Sequence, residues 1–538
     1  MTTTSPCVLA IDLGTSGPKV AVVSLQGELL AAGRGVVETL HLPDGGVEQD
    51  PEAVWSATKS ACRSAMSACR VSPANVLAVI CSSQYSSIVP VGADGRPTAN
   101  MVLWLDKRGA TASLRGYPGF PRRADSPLQM LNWLRLHGLP PVAGGMSLTH
   151  MRYIKYARPD VYDRTATFLE PMDYLTLRLT GRATANQCTA FMSLATDNRR
   201  LDVTDYDPGL VRQSLIDRDK LPDLVPVDAI VGTVQPSVAE ELGLSPGTQV
   251  VTGLNDTQSG GMGTAAFAGG HAAISIGSTS VMIAHVPFKR TDIRHAILSA
   301  PSPVPGKYFV MAENGIGGGT LEHFLDALVY PRDAFGALAA TDRFERLQQA
   351  IEAARPGSGG VLFLPWLGGA LAPAADDLVR GGFLNIGLAT TRSQLARSVL
   401  EGVALNLRWL RGPVERFAKR SFSHFVFYGG AAASDAWAQI MADVLDSPVH
   451  QARNPQYVTC RGAALLAFQR LGLLGFDDFA ARIPIQRKYE PNPAHRRLYD
   501  QLAARFIETY RRTRPVFRAL NRPAARDTTV DRGCNTPS

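Results

Sequence analysis

One unit occurs twice, about half a chain apart, and it restricts the fold more than any other feature of the sequence. Residues 7–24 read as an apolar run, a turn rich in glycine and hydroxyls (Asp12-Leu13-Gly14-Thr15-Ser16-Gly17), and a second, mostly apolar run from Lys19. Residues 272–286 repeat that layout, with Gly277-Ser278-Thr279-Ser280 as the turn. Glycine and hydroxyl clusters between short apolar runs predict strands joined by turns. A unit repeated once predicts two related lobes rather than a solenoid, which needs three or more short repeats. The chain has 538 residues, a length that itself favours more than one domain. The lobes are expected to meet near residue 250.

Gln26-Gly27 breaks the second run before another apolar stretch, 29–37, so the chain opens as a β-meander. Apolar spacing near 3.6 predicts helices over 51–67, 171–179 and 392–409. Asp50-Pro51 gives the first of these a cap followed by proline. Residues 426–428 read as a short strand running into Gly429-Gly430, and 434–445 as a helix. After Arg522 the sequence is polar and aperiodic, and residues 523–538 are expected to be a disordered tail.

Composition excludes several classes. The net charge of +8 comes from 55 basic against 47 acidic residues spread along the chain, which reads as a solvated surface rather than a nucleic-acid interface. No run of about 18 apolar residues predicts a membrane span. The N-terminus, Met-Thr-Thr-Thr-Ser-Pro, lacks the basic and apolar regions of a signal peptide. The seven cysteines are odd in number and form no C-x-x-C pair, which favours reduced thiols and a cytoplasmic protein.

Phosphoryl transfer needs groups that hold a polyphosphate, a metal that neutralises it, and a base that orients the attacking hydroxyl. No Walker A loop and no dinucleotide fingerprint are in place to do this. The first turn offers another cradle. Its glycines let backbone N–H groups converge on an anion, Thr15 and Ser16 add hydroxyls, and Lys19 adds charge. Asp12, at a strand end, is suited to hold Mg²⁺ through its waters. Each feature also fits a plain hairpin turn, but the second turn repeats the chemistry from the other lobe. Asp256 follows an apolar strand and is a candidate base; it is equally a candidate helix N-cap. Gly429-Gly430 and Gly317-Gly318-Gly319 would let a flat ring approach the backbone, or would serve tight strand-to-helix turns.

Taken together, Asp12 to Ser16 with Lys19, then Asp256, Gly277 to Thr279 and Gly429-Gly430 resemble the FGGY carbohydrate kinases, most of all the xylulose kinase branch. The resemblance runs over roughly residues 7–515. Further stretches agree in order: Glu48-Gln49-Asp50-Pro51-Glu52, Trp104-Leu105-Asp106-Lys107-Arg108, Pro171-Met172-Asp173-Tyr174-Leu175, and 381–401 with Gln394, Ser398 and Glu401 in register. The resemblance implies an α/β fold of two actin-like (ribonuclease H-like) lobes around a central cleft. Residues 1–254 are expected to form the lobe for sugar and phosphate, and 255–522 the lobe for nucleotide. It implies ATP with Mg²⁺, a free sugar as substrate, and leaves a homodimer open. By position, Asp256 resembles the base and Asp12 the metal-associated carboxylate. Gly14, Thr15, Ser16, Lys19, Gly277 and Ser278 resemble phosphate contacts, and Gly318, Gly319, Gly430 and Ala431 the nucleotide wall. Gln84, Tyr85, Trp104 and Asp106, with Asp256, are expected to face the sugar.

The sequence departs from the family at Asn385, where glycine is expected, and at His150 and Tyr153, where Lys and Trp are expected. In the sugar-facing loop, xylulose kinases usually carry Q-M-H and glycerol kinases Q-R-E; this chain has Gln84-Tyr85-Ser86. The reading is a kinase for a ketose such as xylulose, with ribulose, sedoheptulose, erythritol or glycerol as alternatives, glycerol being disfavoured. Two rivals share the phosphate turns: an actin-like ATPase serving a protein partner, and a binding module without activity, which the presence of both Asp12 and Asp256 argues against.

Overall fold

The computed structural model describes residues 5–141, 144–333, 336–337 and 341–521; the expected tail lies outside them. Two sheets organise the chain. The first has six strands: β1 (Cys7–Gly14), β2 (Gly17–Ser24), β3 (Leu29–Arg34), β4 (Val76–Ser83), β5 (Ile230–Thr233) and β6 (Gln249–Asn255). The second has eight: β7 (Ala272–Ile276), β8 (Thr279–Val286), β9 (Thr291–Asp292), β10 (Ile297–Pro301), β11 (Tyr308–Ile316), β12 (Phe425–Tyr428), β13 (Val449–Ala452) and β14 (Ile485–Tyr489).

The repeated hairpin is the seed of a larger repeat. The first sheet runs β3-β2-β1-β4-β6-β5, and the second contains β11-β8-β7-β12-β13-β14. Neighbours along both series are antiparallel, antiparallel, parallel, parallel, antiparallel. Strands β9 and β10 extend the second sheet beyond β11. The parallel strands at the centre of each sheet are near-continuous apolar runs because helices cover both faces.

Helix starts follow the local chemistry. Asp50 caps α1 (Pro51–Ala68) by accepting from the Glu52 N–H, with Pro51 at the first helical position. α2 (Pro171–Thr180) also begins at a proline and ends at Gly181, whose φ of 78° is left-handed. α3 (Asp256–Gly263) is capped by Asn255, whose side chain accepts from the Gln258 N–H at 2.8 Å. The cap is therefore Asn255 and not Asp256. α4 (Arg392–Ala418) runs past the expected end near 409 and through Pro413. Burial of Leu410, Val414 and Phe417 outweighs the hydrogen bond that proline removes. α5 (Asp435–Leu445) is capped by Ser434, and α6 (Val458–Arg470) and α7 (Arg496–Asn521) complete the second lobe. Among the described residues no helix is long and apolar enough to cross a membrane.

The lobes share apolar packing. One cluster holds Leu9, Ile11, Val22 and Val250 of the first sheet together with Val281, Ile283, Phe309 and Tyr428 of the second. Beside it, α3 and α6 meet backbone to backbone. A Cβ on Gly462 would lie 1.8 Å from the Ser259 carbonyl oxygen, and one on Gly263 would lie 2.1 Å from that of Val458. No side chain fits there without moving one helix. Gly462→Ala should cost about 1–3 kcal/mol in denaturant unfolding. Gly247→Ala, where nothing lies within 4 Å, should change stability by no more than about 0.5 kcal/mol. Equal effects for the two would show that the contact is not tight.

Candidate active site

The site is built where three parallel strands end together. Register places Asp12 beside Ser82, Leu13 beside Ser83, and Asn255 beside Ser83. Ligands of open α/β sheets collect at such carboxyl ends. Asp256, the next residue, opens α3. Because Asn255 satisfies the helix N-terminus, the Asp256 carboxylate is left for the cleft.

Asp12 is 2% exposed. Its Oδ2 pairs with Lys19 Nζ at 3.3 Å and accepts from Thr459 Oγ1 at 2.7 Å. Thr459 lies on α6, so this bond joins the lobes. Asp12 Oδ1 is buried with no partner. The Asp12 charge holds the Lys19 ammonium above its usual range. Asp256 accepts from Thr257 Oγ1 at 3.0 Å. Burial first, and then the charge of Asp12, pushes the Asp256 carboxyl up to about 7, against the opposing effects of Thr257 and Lys19.

The turn after β1 is braced from below. Gln49 Nε2 donates to the Thr15 carbonyl at 2.7 Å. Thr15 Oγ1 donates to Gln84 Oε1 and accepts from Trp104 Nε1 at 3.2 Å. The single hydroxyl hydrogen of Thr15 is thus already used, whereas Ser16 is exposed. In the second lobe Gly277 and Ser278 are exposed at the end of β7. Gly318 N–H donates to the Gly277 carbonyl at 2.7 Å and Gly319 N–H to that of Ser278 at 3.2 Å. A Cβ on Gly318 would lie 2.5 Å from the Gly277 oxygen, so glycine is required for this approach. Ser275 pairs with Tyr428 in register, which brings Gly430 and Ala431 beside the same turn. Gly430 has nothing within 4 Å of an added Cβ.

The loop after β4 supplies the remaining predicted residues. Trp104 Nε1 also donates to Gln84 Oε1 at 3.1 Å, while Gln84 Nε2 is buried without a partner. Tyr85 OH points across the cleft to Met311 Sδ on β11, 3.0 Å away. Ser86 adopts a left-handed φ of 62°. Its carbonyl meets His150 Nε2 at 3.0 Å, and the Ser86 and Ser87 N–H groups turn toward the buried Glu170 carboxyl.

Asp106 is the predicted residue that the structure does not bring to the cleft. It is fully buried; its oxygens take Arg108 Nε and Nη2 and the backbone N–H groups of Val47 and Arg108. Arg108 pairs in turn with Glu48 and lies over the Tyr153 ring, 4.4 Å from its centre. The W-x-D-x-R stretch therefore fastens the loop that carries Trp104, because a carboxylate with four donors has no lone pair to spare for a ligand.

Sequence reasoning missed Thr459, Lys107 and Glu313. The last had a signal: it is the one charged residue in β11, Tyr308–Ile316, an otherwise mostly apolar strand. The departure at Asn385 is also accounted for. Its φ is 64°, the region where glycine is favoured and asparagine is tolerated.

Comparison with known proteins agrees with this fold. The sequence matches the N-terminal domain of the FGGY family of carbohydrate kinases over residues 7–263 and the C-terminal domain over 272–470. It is 27% identical to a xylulose kinase of Staphylococcus epidermidis over 515 residues, covering 95% of this chain and 97% of the relative. It is 25% identical to an autoinducer-2 kinase of Klebsiella pneumoniae over 520 residues, covering 94% and 93%. The structure is similar to that of gluconate kinase from Lactobacillus acidophilus, with a TM-score of 0.80, 21% identity, and coverage of 96% and 100%. Two actin-like lobes of this kind, with both family domains matched in order over most of the chain, leave no room for the rival reading of a protein-directed ATPase. The chain belongs to the FGGY family of carbohydrate kinases and is an ATP-dependent sugar kinase.

Proposed function

We propose that the chain transfers the γ-phosphoryl group of ATP to a terminal hydroxyl of a neutral free sugar, a ketose such as xylulose, with Asp256 as the base. The observation that carries this is the Asp256 carboxylate itself. It is released from capping by Asn255, it stands at the strand ends beside Asp12, and it is poised near neutral pH. A base with a pKa near the working pH combines the correct protonation state with enough driving force. Asp256 takes the proton as the hydroxyl oxygen attacks the γ-phosphorus, and the hydroxyl's electrons form the new P–O bond while ADP leaves.

The two turns hold the phosphates from opposite lobes. Gly14, Thr15 and Ser16 offer backbone N–H groups, Ser16 and Ser278 offer hydroxyls, Lys19 offers charge, and Gly277, whose own N–H is taken by the Thr279 carbonyl at 2.9 Å, lets the phosphates approach the turn closely. Gly318, Gly319, Gly430 and Ala431 form the nucleotide wall. Asp12 fits a hydrated Mg²⁺: its Oδ1 is buried and otherwise unsatisfied, and a carboxylate oxygen suits a hard cation that keeps its waters. When bound, that ion would neutralise polyphosphate charge. The residues proposed to face the sugar are Gln84, through its unpartnered Nε2, Tyr85 and Trp104, with Asp106 as a positioning residue beneath them. We place the boundary between the sugar- and phosphate-binding lobe and the nucleotide-binding lobe near residue 255, where β6 ends. The six described cysteines are all free, in keeping with a reducing, cytoplasmic setting.

A coupled ADP assay over xylulose, ribulose, sedoheptulose, erythritol, glycerol and gluconate tests the reading. Asp256→Asn should lower kcat roughly 10²- to 10⁴-fold. Ionising Asp256 in the cleft opposes folding as pH rises from the ordinary carboxylate range through about 7. The melting temperature of Asp256→Asn at pH 8 should therefore not fall, which separates lost chemistry from lost structure. An unchanged kcat would sink the assignment.

The pH profile is a second test. Only ionised Asp256 accepts a proton, so kcat/KM should rise with pH through about 7 and level off above it. Removing the Asp12 charge removes one cause of the upward shift. In Asp12→Asn the midpoint of the remaining activity should move to lower pH. A midpoint that stays put would show that another group titrates.

A further inference from the structure

Strand β11 presents two rows of side chains. Tyr308, Val310 and Ala312 pack in the core of the second lobe, and Phe309 and Met311 face the packing shared with the first. Alternation puts Glu313 in the second row, about 7 Å along the strand from Met311. Met311 is the residue that Tyr85 OH contacts. Glu313 stands opposite Val281 of β8 in register. Its carboxylate is half-buried, and among the described residues it takes part in no hydrogen bond or ion pair. Burial raises its pKa, while Lys107 of the first lobe acts in the other direction. Burial lowers the Lys107 pKa, against the charges of Asp377 and Glu313 of the second lobe, and its ammonium donates to the Gly144 carbonyl at 3.2 Å.

A half-buried carboxylate without a protein donor keeps its acceptor sites open to a ligand. Here one stands beside the sugar-facing loop, across from a lysine too far away to pair with it. We infer that Glu313 is a specificity-determining residue: it accepts a hydroxyl at the end of the sugar remote from the transferred phosphoryl group, and it rejects substrates that carry a carboxylate at that end. This rests on the reading that the sugar lies between Asp256 and the Gln84–Tyr85 loop. A hydroxyl donates to Glu313 and leaves its second lone pair for Lys107, so a polyol bridges the two lobes. A sugar acid places like charge against Glu313, with Glu170 and Asp256 also facing Tyr85. Rejection by an unpaired like charge is an efficient source of selectivity.

The test compares wild type, Glu313→Gln and Glu313→Asp with neutral ketoses and alditols against gluconate, measuring kcat and KM separately. Glu313→Gln should raise KM for the preferred neutral sugar roughly 10- to 100-fold, the value of a hydrogen bond to a charged group, with kcat changed only a few-fold. It should also raise the ratio of gluconate to neutral-sugar kcat/KM. Glu313→Asp keeps the charge, so it should keep gluconate out while raising KM, and it supplies the test should Glu313→Gln fail to fold. If wild type phosphorylates a neutral sugar and neither variant alters KM or the ratio, this inference is wrong and the kinase reading stands. If wild type prefers gluconate, the inference is overturned directly. If wild type phosphorylates no sugar at all, the reading beneath it falls as well.

Discussion

The close crossing of α3 and α6 is the contact on which the site's geometry depends. α3 follows β6 of the first sheet and α6 follows β13 of the second, and each carries a side chain of the candidate site in its first turn: Asp256 on α3 and Thr459 on α6. Gly263 and Gly462 remove the side chains that would hold the helices apart. Gly260 is similarly filled by Tyr428, whose hydroxyl would lie 1.8 Å from a Cβ there. Backbones in contact fix relative positions more tightly than flexible side chains can. That tightness lets Thr459 reach across to Asp12, and it sets the separation between the two carboxylates and the second lobe's turn. Motion of the lobes about such a crossing would move the turns far more than it moves Asp12 and Asp256.

The electrostatics follow from that placement. Asp12 pairs with Lys19 and accepts from Thr459, and after burial its charge is the second of the two forces that raise Asp256. One carboxylate is thus stabilised at the expense of its neighbour, and the pair divides into an anion suited to a cation and a group suited to proton transfer. Stability is lost for the sake of the second, since the neutral form is favoured in the fold. Asn255 makes the arrangement possible. Were Asp256 the cap, its oxygens would be committed to backbone N–H groups and its pKa would fall instead of rise.

Much of this was legible in the sequence because strand-and-turn chemistry is local. The two glycine and hydroxyl turns, the Asp50-Pro51 start and the Ser434 start are all decided within a few residues. Choosing between Asp256 as cap and as base required knowing that Asn255 would do the capping, and Asn255 precedes it by only one position. The end of α4 was not legible, because Pro413 is a local stop signal that burial of Val414 and Phe417 overrides. Motif residues were easier to find than to interpret. Gln49 holds the Thr15 carbonyl, Asp106 holds Arg108, and Glu401 accepts from Gly357, Ser358, Arg397 and Tyr499. Each looked like a functional mark and acts by bracing one.

That division explains why likeness to kinases named for xylulose, autoinducer-2 and gluconate leaves the sugar open. The shared stretches build the cradle for phosphate and the frame beneath it, where any acceptor with a terminal hydroxyl presents the same chemistry. Selectivity must come from groups that touch the rest of the sugar. In the reading proposed above those are Gln84 and Tyr85 from one lobe, Lys107 at the second free position of W-x-D-x-R, and Glu313 from the other lobe. Glu313 and Lys107 come from opposite lobes, so they form a complete recognition surface only when both sides of the cleft engage one ligand. Recognition of the sugar and approach of the lobes are then the same event. On that proposal a substrate that satisfies both residues links the two sides of the cleft, and one that satisfies neither leaves them unlinked.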